Sequence, residues 1–198
     1  PYMYYFWKKD VAEGYYTVTP EKYAKQNVQR FIYAVNQPAV RDSIQSAFTN
    51  VNFFDMPYLE ALFGGSEFPD GTPMIYELDG IMEFQKMFLE VMSDIRSKNM
   101  FTFPVLTYSL LKRKDITKEE ADEMIRTREF KVFKDNDFAR WCSDHNTKWN
   151  DSNFFMSDDV STLSNCCRLL SDTTKLKGFI NSIGGTALSI GSIKVNTI

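Results

Sequence analysis

Two stretches of the sequence decide the predicted fold: Ser164-Asn165-Cys166-Cys167-Arg168-Leu169, and the segment GSIKVNTI at residues 191–198. In extended backbone, neighbouring side chains point to opposite faces, so the two cysteines would face different surroundings there. Two buried thiols are the ordinary interpretation of such a pair, and Cys166 fits a small apolar core position. A disulfide between adjacent cysteines is disfavoured because ordinary disulfide geometry requires separated backbones.

The composition indicates a packed protein without a general affinity for nucleic acid or membranes. Of the 198 residues, 43% are hydrophobic and 15% aromatic, which is enough for a substantial core. The net charge of −3 and the pI near 5.3 give no general attraction to nucleic-acid backbones or anionic lipids. No apolar run reaches membrane-spanning length. Three cysteines without a regular framework favour a reducing compartment, so we expect the cytoplasm.

Four segments carry helix signals. Thr19 and Pro20 form a hydroxyl cap with proline at the first helical position, which predicts a helix to residue 36. Apolar residues recur at helical spacing over residues 78–98, which predicts a long helix whose methionines fill the core. Thr117 opens a capping box for a charged helix to residue 128, and residues 135–146 form the fourth predicted helix.

Strand composition recurs in four segments, which are residues 45–54, 101–108, 153–156 and 193–198. The first of these strands is expected to end near Asp55. Residues 1–7 are too aromatic to be exposed, so we expect them to pack against neighbouring structure. The aromatic start and the strand at residues 193–198 indicate that both ends are cut or are completed by another chain.

The cysteine pair, followed by a Gly-Ser-Ile strand, resembles the finger loop and next barrel strand of anaerobic (class III) ribonucleoside triphosphate reductases, which are glycyl radical enzymes. The run Ser46-Ala47-Phe48-Thr49-Asn50 is similar to a Ser-x-Phe-Thr-Asn run on a barrel strand of that family. Residues 101–108 resemble another barrel strand, with Pro104 in a similar place. The similarity runs over nearly the whole chain.

The resemblance implies an α/β fold that is part of a ten-stranded α/β barrel with an internal finger loop. Residues 1–198 would form one partial catalytic barrel domain. The ATP-cone and glycyl-radical segments of the family have no counterpart in these residues, and neither has the family's upstream active-site cysteine. The chain alone is therefore expected to be inactive.

The implied chemistry is thiyl-radical reduction of ribonucleoside triphosphates to deoxyribonucleoside triphosphates. Cys167 would be the cysteine that takes the 3′ hydrogen of the ribose, with Cys166 beside it at the catalytic site. The resemblance further implies a glycyl radical on a segment outside this chain, formate or a dithiol as reductant, and ATP or deoxynucleoside triphosphates as allosteric effectors.

Six residues are candidates for binding the substrate: Ser46, Thr49, Asn50, Asn165, Ser192 and Asn196. The hydroxyls and amide of the first three suit hydrogen bonds to ribose or phosphate. Their alternative role is to satisfy the end of a strand.

The implied partners are a ribonucleoside triphosphate, the remaining part of the reductase and a radical S-adenosylmethionine activase, in a homodimer of the complete enzyme. No nucleic acid or membrane partner is expected, and no metal is assigned to this chain.

Four other interpretations were weighed. Cys142, His145 and the cysteine pair are suitable ligand types for zinc, although adjacent cysteines are unlike the usual spaced ligands. The same residue types could serve a cysteine protease, although a lone histidine more often satisfies a hydrogen bond. A pyruvate formate-lyase-like enzyme also carries two neighbouring cysteines on a finger loop. A non-catalytic scaffold or assembly subunit would use its aromatic start and its end strand for docking.

Overall fold

A three-stranded parallel sheet is the centre of the computed structural model, which describes residues 1–37, 49–164 and 170–172. Its strands are β1 (Asn50–Phe54), β2 (Val105–Leu111) and β3 (Ser152–Ser157), paired in that order. Two short antiparallel strands, β4 (Thr162–Ser164) and β5 (Leu170–Asp172), form a hairpin. The described chain is therefore mixed α/β, as predicted, and its larger sheet is parallel. The five described strands do not by themselves confirm the predicted ten-stranded barrel.

Helices connect the parallel strands, because such strands need long crossover connections. The α-helices in the described residues are α1 (Tyr2–Glu13), α2 (Pro20–Val35), α3 (Met56–Phe63), α4 (Leu78–Arg96), α5 (Lys118–Thr127) and α6 (Asn136–Trp149). The pair α3 and α4 joins β1 to β2, and the pair α5 and α6 joins β2 to β3. None of the helices that the structure describes is long and apolar enough to cross a membrane.

Helix α4 supplies much of the core, and its predicted extent is confirmed to within two residues. Phe88 lies at its centre, with ring centroids 5.6 Å from Phe53 of β1 and 5.9 Å from Phe31 of α2. Met82 and Met92 are buried in the same cluster, so the methionines are core residues as expected. The sheet is thus fixed to the helical layer through one long amphipathic helix.

The predicted helix starts are confirmed by their capping hydrogen bonds. Thr19 Oγ1 accepts from the backbone N–H of Lys22 at 3.3 Å, and Thr117 Oγ1 accepts from that of Glu120 at 3.2 Å. Asp135 caps α6 in the same way. Because a cap satisfies an N–H that the helix leaves unpaired, the signals at Thr19 and Thr117 placed two helices correctly, whereas α6 was predicted from its apolar periodicity.

The N-terminal segment differs from its prediction. Residues 1–7 begin α1, in which Tyr4 is buried but Tyr2 and Phe6 are 55% and 51% exposed. The expectation that this segment is too aromatic to be exposed is therefore wrong for these two side chains. The helix gave no start signal because Pro1 stands at its N-cap without a side-chain hydrogen bond.

Strand β2 begins four residues later than predicted, at Val105, and continues to Leu111. The guanidinium of Arg96 binds the carbonyls of Phe101, Thr102 and Pro104, which turns them away from a neighbouring strand. Pro104 also has no N–H to donate to a ladder. The aromatic and β-branched composition of residues 101–104 therefore does not make them part of the sheet.

Candidate functional site

The two faces of the sheet differ in chemistry, because side chains alternate along each strand. One face carries a set of polar residues: Asn50, Asn52, Thr107, Ser109 and Asn153. The opposite face carries buried apolar and aromatic residues: Phe53, Leu106, Tyr108 and Leu110. The register places Asn52, Thr107 and Asn153 in one row across the three strands. Buried polar groups need partners, so the polar face is suited to a polar ligand or a polar segment of chain.

The β4–β5 hairpin packs at this polar face through its first strand. The hydroxyl of Tyr58 donates to the carbonyl of Thr162 at 2.7 Å. Leu163 is buried in a small cluster with Tyr58 and Leu111. Apolar packing and a hydrogen bond together hold the base of the hairpin on the sheet.

A second contact holds the hairpin at Ser164, the last residue of β4. The side-chain amide of Asn52 donates through Nδ2 to the carbonyl of Ser164 at 2.9 Å. Ser164 pairs with Leu170, so the connection between the two strands consists of residues 165–169. Cys166 and Cys167 belong to this connection and lie outside the described residues.

Three polar side chains of the sheet are joined by successive hydrogen bonds that lead to Ser164 in β4. Thr107 Oγ1 donates to Asn50 Oδ1 at 3.3 Å, and Asn50 Nδ2 donates to Asn52 Oδ1 at 3.0 Å. Asn52 then donates to Ser164 as described. Sequence reasoning singled out Asn50 but missed Asn52, because Asn52 and Ser164 are 112 residues apart and no local pattern connects them.

Thr49 and Asn50 are the two predicted substrate-binding residues within the described chain. Asn50 is the first residue of β1, and the carbonyl of Thr49 accepts from the N–H of Val105 at 2.8 Å. Both residues are half-buried. The remaining candidates lie outside the described residues: Ser46, Asn165, Cys166, Cys167, Ser192 and Asn196.

A buried carboxylate lies at the other end of β1. Asp55 accepts hydrogen bonds from the N–H groups of Tyr58 at 3.1 Å and Leu111 at 2.6 Å. Burial raises the pKa of the Asp55 carboxyl to about 6, although both N–H groups act to lower it.

Asp55 also caps α3, a helix that sequence analysis missed. An aspartate two residues before Pro57 was the signal that could have found it.

His145 and Cys142 lie behind the sheet, on α6. Both ring nitrogens of His145 contact hydroxyls, those of Tyr108 and Ser93. Burial raises the pKa of the Cys142 thiol, which is the opposite of the activation that a nucleophilic cysteine needs. Among the described residues, no group of three or more His, Cys, Asp or Glu side chains is arranged to hold a metal ion.

A family model decides the family. The model for anaerobic ribonucleoside-triphosphate reductase matches residues 1–198, which is the whole chain. The chain belongs to the anaerobic ribonucleoside-triphosphate reductase family. The resemblance noted in the sequence is thereby confirmed.

Solved structures of an anaerobic ribonucleotide reductase from Thermotoga maritima are similar to this chain. The structure with dATP bound in the specificity site is 36% identical, with a TM-score of 0.72 over 96% of this chain and 28% of its own. The complex with dATP and CTP is 36% identical, with a TM-score of 0.69 over 93% of this chain and 27% of its own. The structure with citrate in the active site is 36% identical, with a TM-score of 0.66 over 80% of this chain.

This reductase-family chain spans about a quarter of the length of those relatives, between 25% and 28%. Comparison with curated proteins gives no match. The parallel sheet with its helical layer is therefore similar to one part of an anaerobic ribonucleotide reductase.

Proposed function

We propose that residues 1–198 form a partial catalytic barrel domain of an anaerobic ribonucleoside-triphosphate reductase, with residues 165–169 as its finger loop. The observation that supports this proposal is the hydrogen bond from Asn52 to Ser164, which holds the end of β4, directly before the cysteine-bearing residues in the sequence, at the polar face of a parallel sheet. A radical enzyme needs its thiol beside a polar substrate and away from bulk water. The family match over the whole chain supports the same assignment.

Cys167 is the proposed catalytic cysteine, and its Sγ takes the 3′ hydrogen atom of the ribose. The glycyl radical, on a segment outside this chain, supplies the oxidising equivalent for that sulfur. The 2′ hydroxyl then leaves as water, and formate or a dithiol provides the two electrons. Cys166 is the neighbouring residue of the catalytic loop and is expected to contribute less. The contribution of this chain is to hold and orient the sulfur and the sugar.

Asn50 is the proposed substrate-binding residue that lies on the polar face of the described sheet. Among the described residues, Asn50 uses one N–H and one oxygen lone pair within the sheet, and the other of each suits a ribose hydroxyl or a phosphate oxygen. The residues proposed with it are Ser46, Thr49, Asn165, Ser192 and Asn196. Within the part of the chain that the structure describes, the fully buried Ser109 Oγ on the same face has no hydrogen-bond partner.

The complete enzyme contains more than this chain. We propose that it works as a cytoplasmic homodimer, is activated by a radical S-adenosylmethionine activase, and responds to ATP or deoxynucleoside triphosphates. The bound dATP of the similar Thermotoga maritima structures supports effector binding in the complete protein. Residues 1–198 alone are not expected to turn over.

The test uses three cysteine variants of the complete, activated enzyme. Cys167→Ser should abolish ribonucleotide reduction while the glycyl radical still forms, as measured by electron paramagnetic resonance. Cys166→Ala should lose less activity. Cys142→Ala is the matched control, because its thiol is buried in α6 outside the loop. Turnover retained by Cys167→Ser contradicts the radical role of Cys167. Equal losses of activity in Cys166→Ala and Cys167→Ser contradict the choice of Cys167 over Cys166.

A further inference from the structure

We infer that Tyr108 is a redox-active tyrosine, which gives one electron to a one-electron oxidant of the thiyl-radical class while its hydroxyl proton leaves along a relay of buried side chains. The relay runs from β2 through His145 of α6 and Ser93 of α4 to Asp151, the residue before β3. These four residues lie outside the proposed cysteine and substrate residues, so the inference goes beyond the proposed function.

The relay consists of three successive hydrogen-bond contacts. The hydroxyl of Tyr108 lies 2.8 Å from Nδ1 of His145, and Nε2 of the same ring lies 3.3 Å from Ser93 Oγ. Ser93 donates its own proton to Asp151 Oδ2 at 2.9 Å. Ser93 therefore accepts from Nε2–H, which leaves Nδ1 as the acceptor for Tyr108. Each donor points toward the carboxylate, so the side chains are already oriented for proton transfer in that direction.

Burial makes this proton path necessary for oxidation of the phenol. Tyr108 is fully buried, and a phenol that lost only an electron would leave a positive charge among apolar side chains. Burial also raises the pKa of Tyr108 above its ordinary value of 10, so a phenolate is not the electron donor at neutral pH. The electron and the proton must therefore leave together.

The relay continues beyond the imidazole because His145 is a poor place for a second proton. Burial lowers the pKa of His145 below its ordinary value of 6.5, which disfavours an imidazolium there. Release of the Nε2 proton to Ser93 keeps the ring neutral. The carboxylate of Asp151 then receives the hydroxyl proton of Ser93, and this carboxylate is partly exposed, so it can exchange the proton with water.

The electron has an aromatic route to the surface. The rings of Tyr108 and His145 have centroids 6.4 Å apart, and the indole of Trp141 stacks on His145 at 5.0 Å with an interplanar angle of 16°. Trp141 is half-buried and lines a surface cavity together with Trp7 and Phe84. An oxidant that cannot touch Tyr108 can therefore oxidise Trp141 first, and the indole then recovers its electron from the phenol.

The step balances in atoms and electrons. Tyr108 loses one electron and one proton and becomes a neutral phenoxyl radical. His145 ends with a proton on Nδ1 in place of Nε2, Ser93 keeps one hydroxyl proton, and Asp151 gains one proton. The thiyl radical takes the electron to become a thiolate, which takes a proton from water to give a thiol. Full burial of the phenoxyl ring keeps it away from other radicals and prolongs its lifetime.

The experiment oxidises the complete enzyme before activation, when it carries no glycyl radical. Light and a cobalt(III) ammine convert ruthenium tris-bipyridine to its ruthenium(III) form, which stands in for the thiyl radical as the one-electron oxidant. Samples are frozen at increasing delays, and the tyrosyl radical is measured by electron paramagnetic resonance. The difference between wild type and Tyr108→Phe isolates the signal of this tyrosine from that of the others.

Two further variants separate the relay from burial. Asp151→Asn keeps the shape and an acceptor for Ser93 but removes the base that ends the relay; should it fail to fold, Ser93→Ala interrupts the relay one step earlier. Tyr58→Phe is the matched control, because Tyr58 is equally buried but its hydroxyl contacts the backbone carbonyls of Asp159 and Thr162, which do not take up a proton.

The expected result is a slowly decaying tyrosyl signal that Tyr108→Phe removes and Tyr58→Phe retains. Asp151→Asn should lower the yield of that signal several-fold, and Ser93→Ala should do the same. A slow signal of wild-type size in Tyr108→Phe overturns the redox role, and a wild-type yield in the relay variant overturns the proton path. Neither result depends on turnover by Cys167→Ser, which tests the proposed function, so the two failures are distinguishable.

Discussion

The hydroxyl of Tyr108 lies 2.8 Å from Nδ1 of His145, directly behind the polar face of the sheet. On the other side of the ring, Nε2 lies 3.3 Å from Ser93 Oγ, which donates its own proton to Asp151 at 2.9 Å. Since that hydroxyl proton is already used, Ser93 must accept from Nε2–H, and Tyr108 must donate to Nδ1. We therefore assign the neutral Nε2–H tautomer to His145. The series joins β2 to α4, α6 and the start of β3.

Replacement of His145 by alanine should destabilise the protein by about 2–4 kcal/mol. The change removes the nitrogen that accepts from the buried hydroxyl of Tyr108 and opens a cavity beside the stacked ring of Trp141. Urea unfolding of the purified chain measures the loss. The exposed Asp144→Ala on the same helix is the control and should stay within about 0.5 kcal/mol of the wild type.

His145 should also make stability depend on pH. Burial lowers its pKa below the ordinary value of 6.5, and this effect exceeds the opposing charges of Asp151 and Glu90. A histidine that is harder to protonate when folded contributes stability above pH 6.5, and that stability is lost as the pH falls through its folded pKa. Asp55 has the opposite sign, because its raised pKa makes its contribution fall as the pH rises through about 6.

The difference between wild type and His145→Gln isolates the histidine, since Asp55 is common to both proteins. Thermal unfolding between pH 5 and 8 should show the wild type losing stability faster than the variant on acidification. Parallel curves for the two proteins would contradict the assignment of a neutral buried imidazole.

Much of the fold that follows from local chemistry was predicted, although α3 was missed despite its local cap at Asp55, and the contacts between distant residues were not predicted. Thr19 and Thr117 announce helices because a cap is a contact across three residues. Asn52 has no such signature, since its partner lies in a hairpin that the sequence shows only as a loop. The cysteine connection was found from its resemblance to a family rather than from spacing.

Arg96→Lys should destabilise the protein by about 2–3 kcal/mol. The guanidinium donates from three nitrogens to four carbonyls that precede β2 and β3: those of Phe101, Thr102, Pro104 and Asp151. A lysine ammonium has one nitrogen and cannot reach them together. Chemical denaturation measures the change. Arg126→Lys is the matched control, because Arg126 is exposed and pairs with Glu123 on its own helix.

Gly80→Ala should destabilise the protein by about 1–3 kcal/mol, although alanine normally favours a helix. A Cβ at Gly80 would lie 2.1 Å from the hydroxyl of Tyr4, which binds Glu77 and docks α1 on α4. Gly65→Ala is the control, since nothing lies within 4 Å of its Cβ position. Differential scanning calorimetry should show a lower Tm for the first variant and an unchanged Tm for the second. Equal Tm values would mean that α1 can shift to accept the methyl group.

Asp55 contacts the backbone of β2 on both sides of Leu110. Its N–H donates to the carbonyl of Ser109 at 3.2 Å, while its carboxylate accepts from the N–H of Leu111. If β2 slipped by one residue, both bonds would break, and Tyr108 would turn toward the hairpin in place of Thr107. This one acidic residue therefore fixes the register that keeps the hydroxyl-bearing side of β2 facing β4 and the phenol on the opposite side of the sheet.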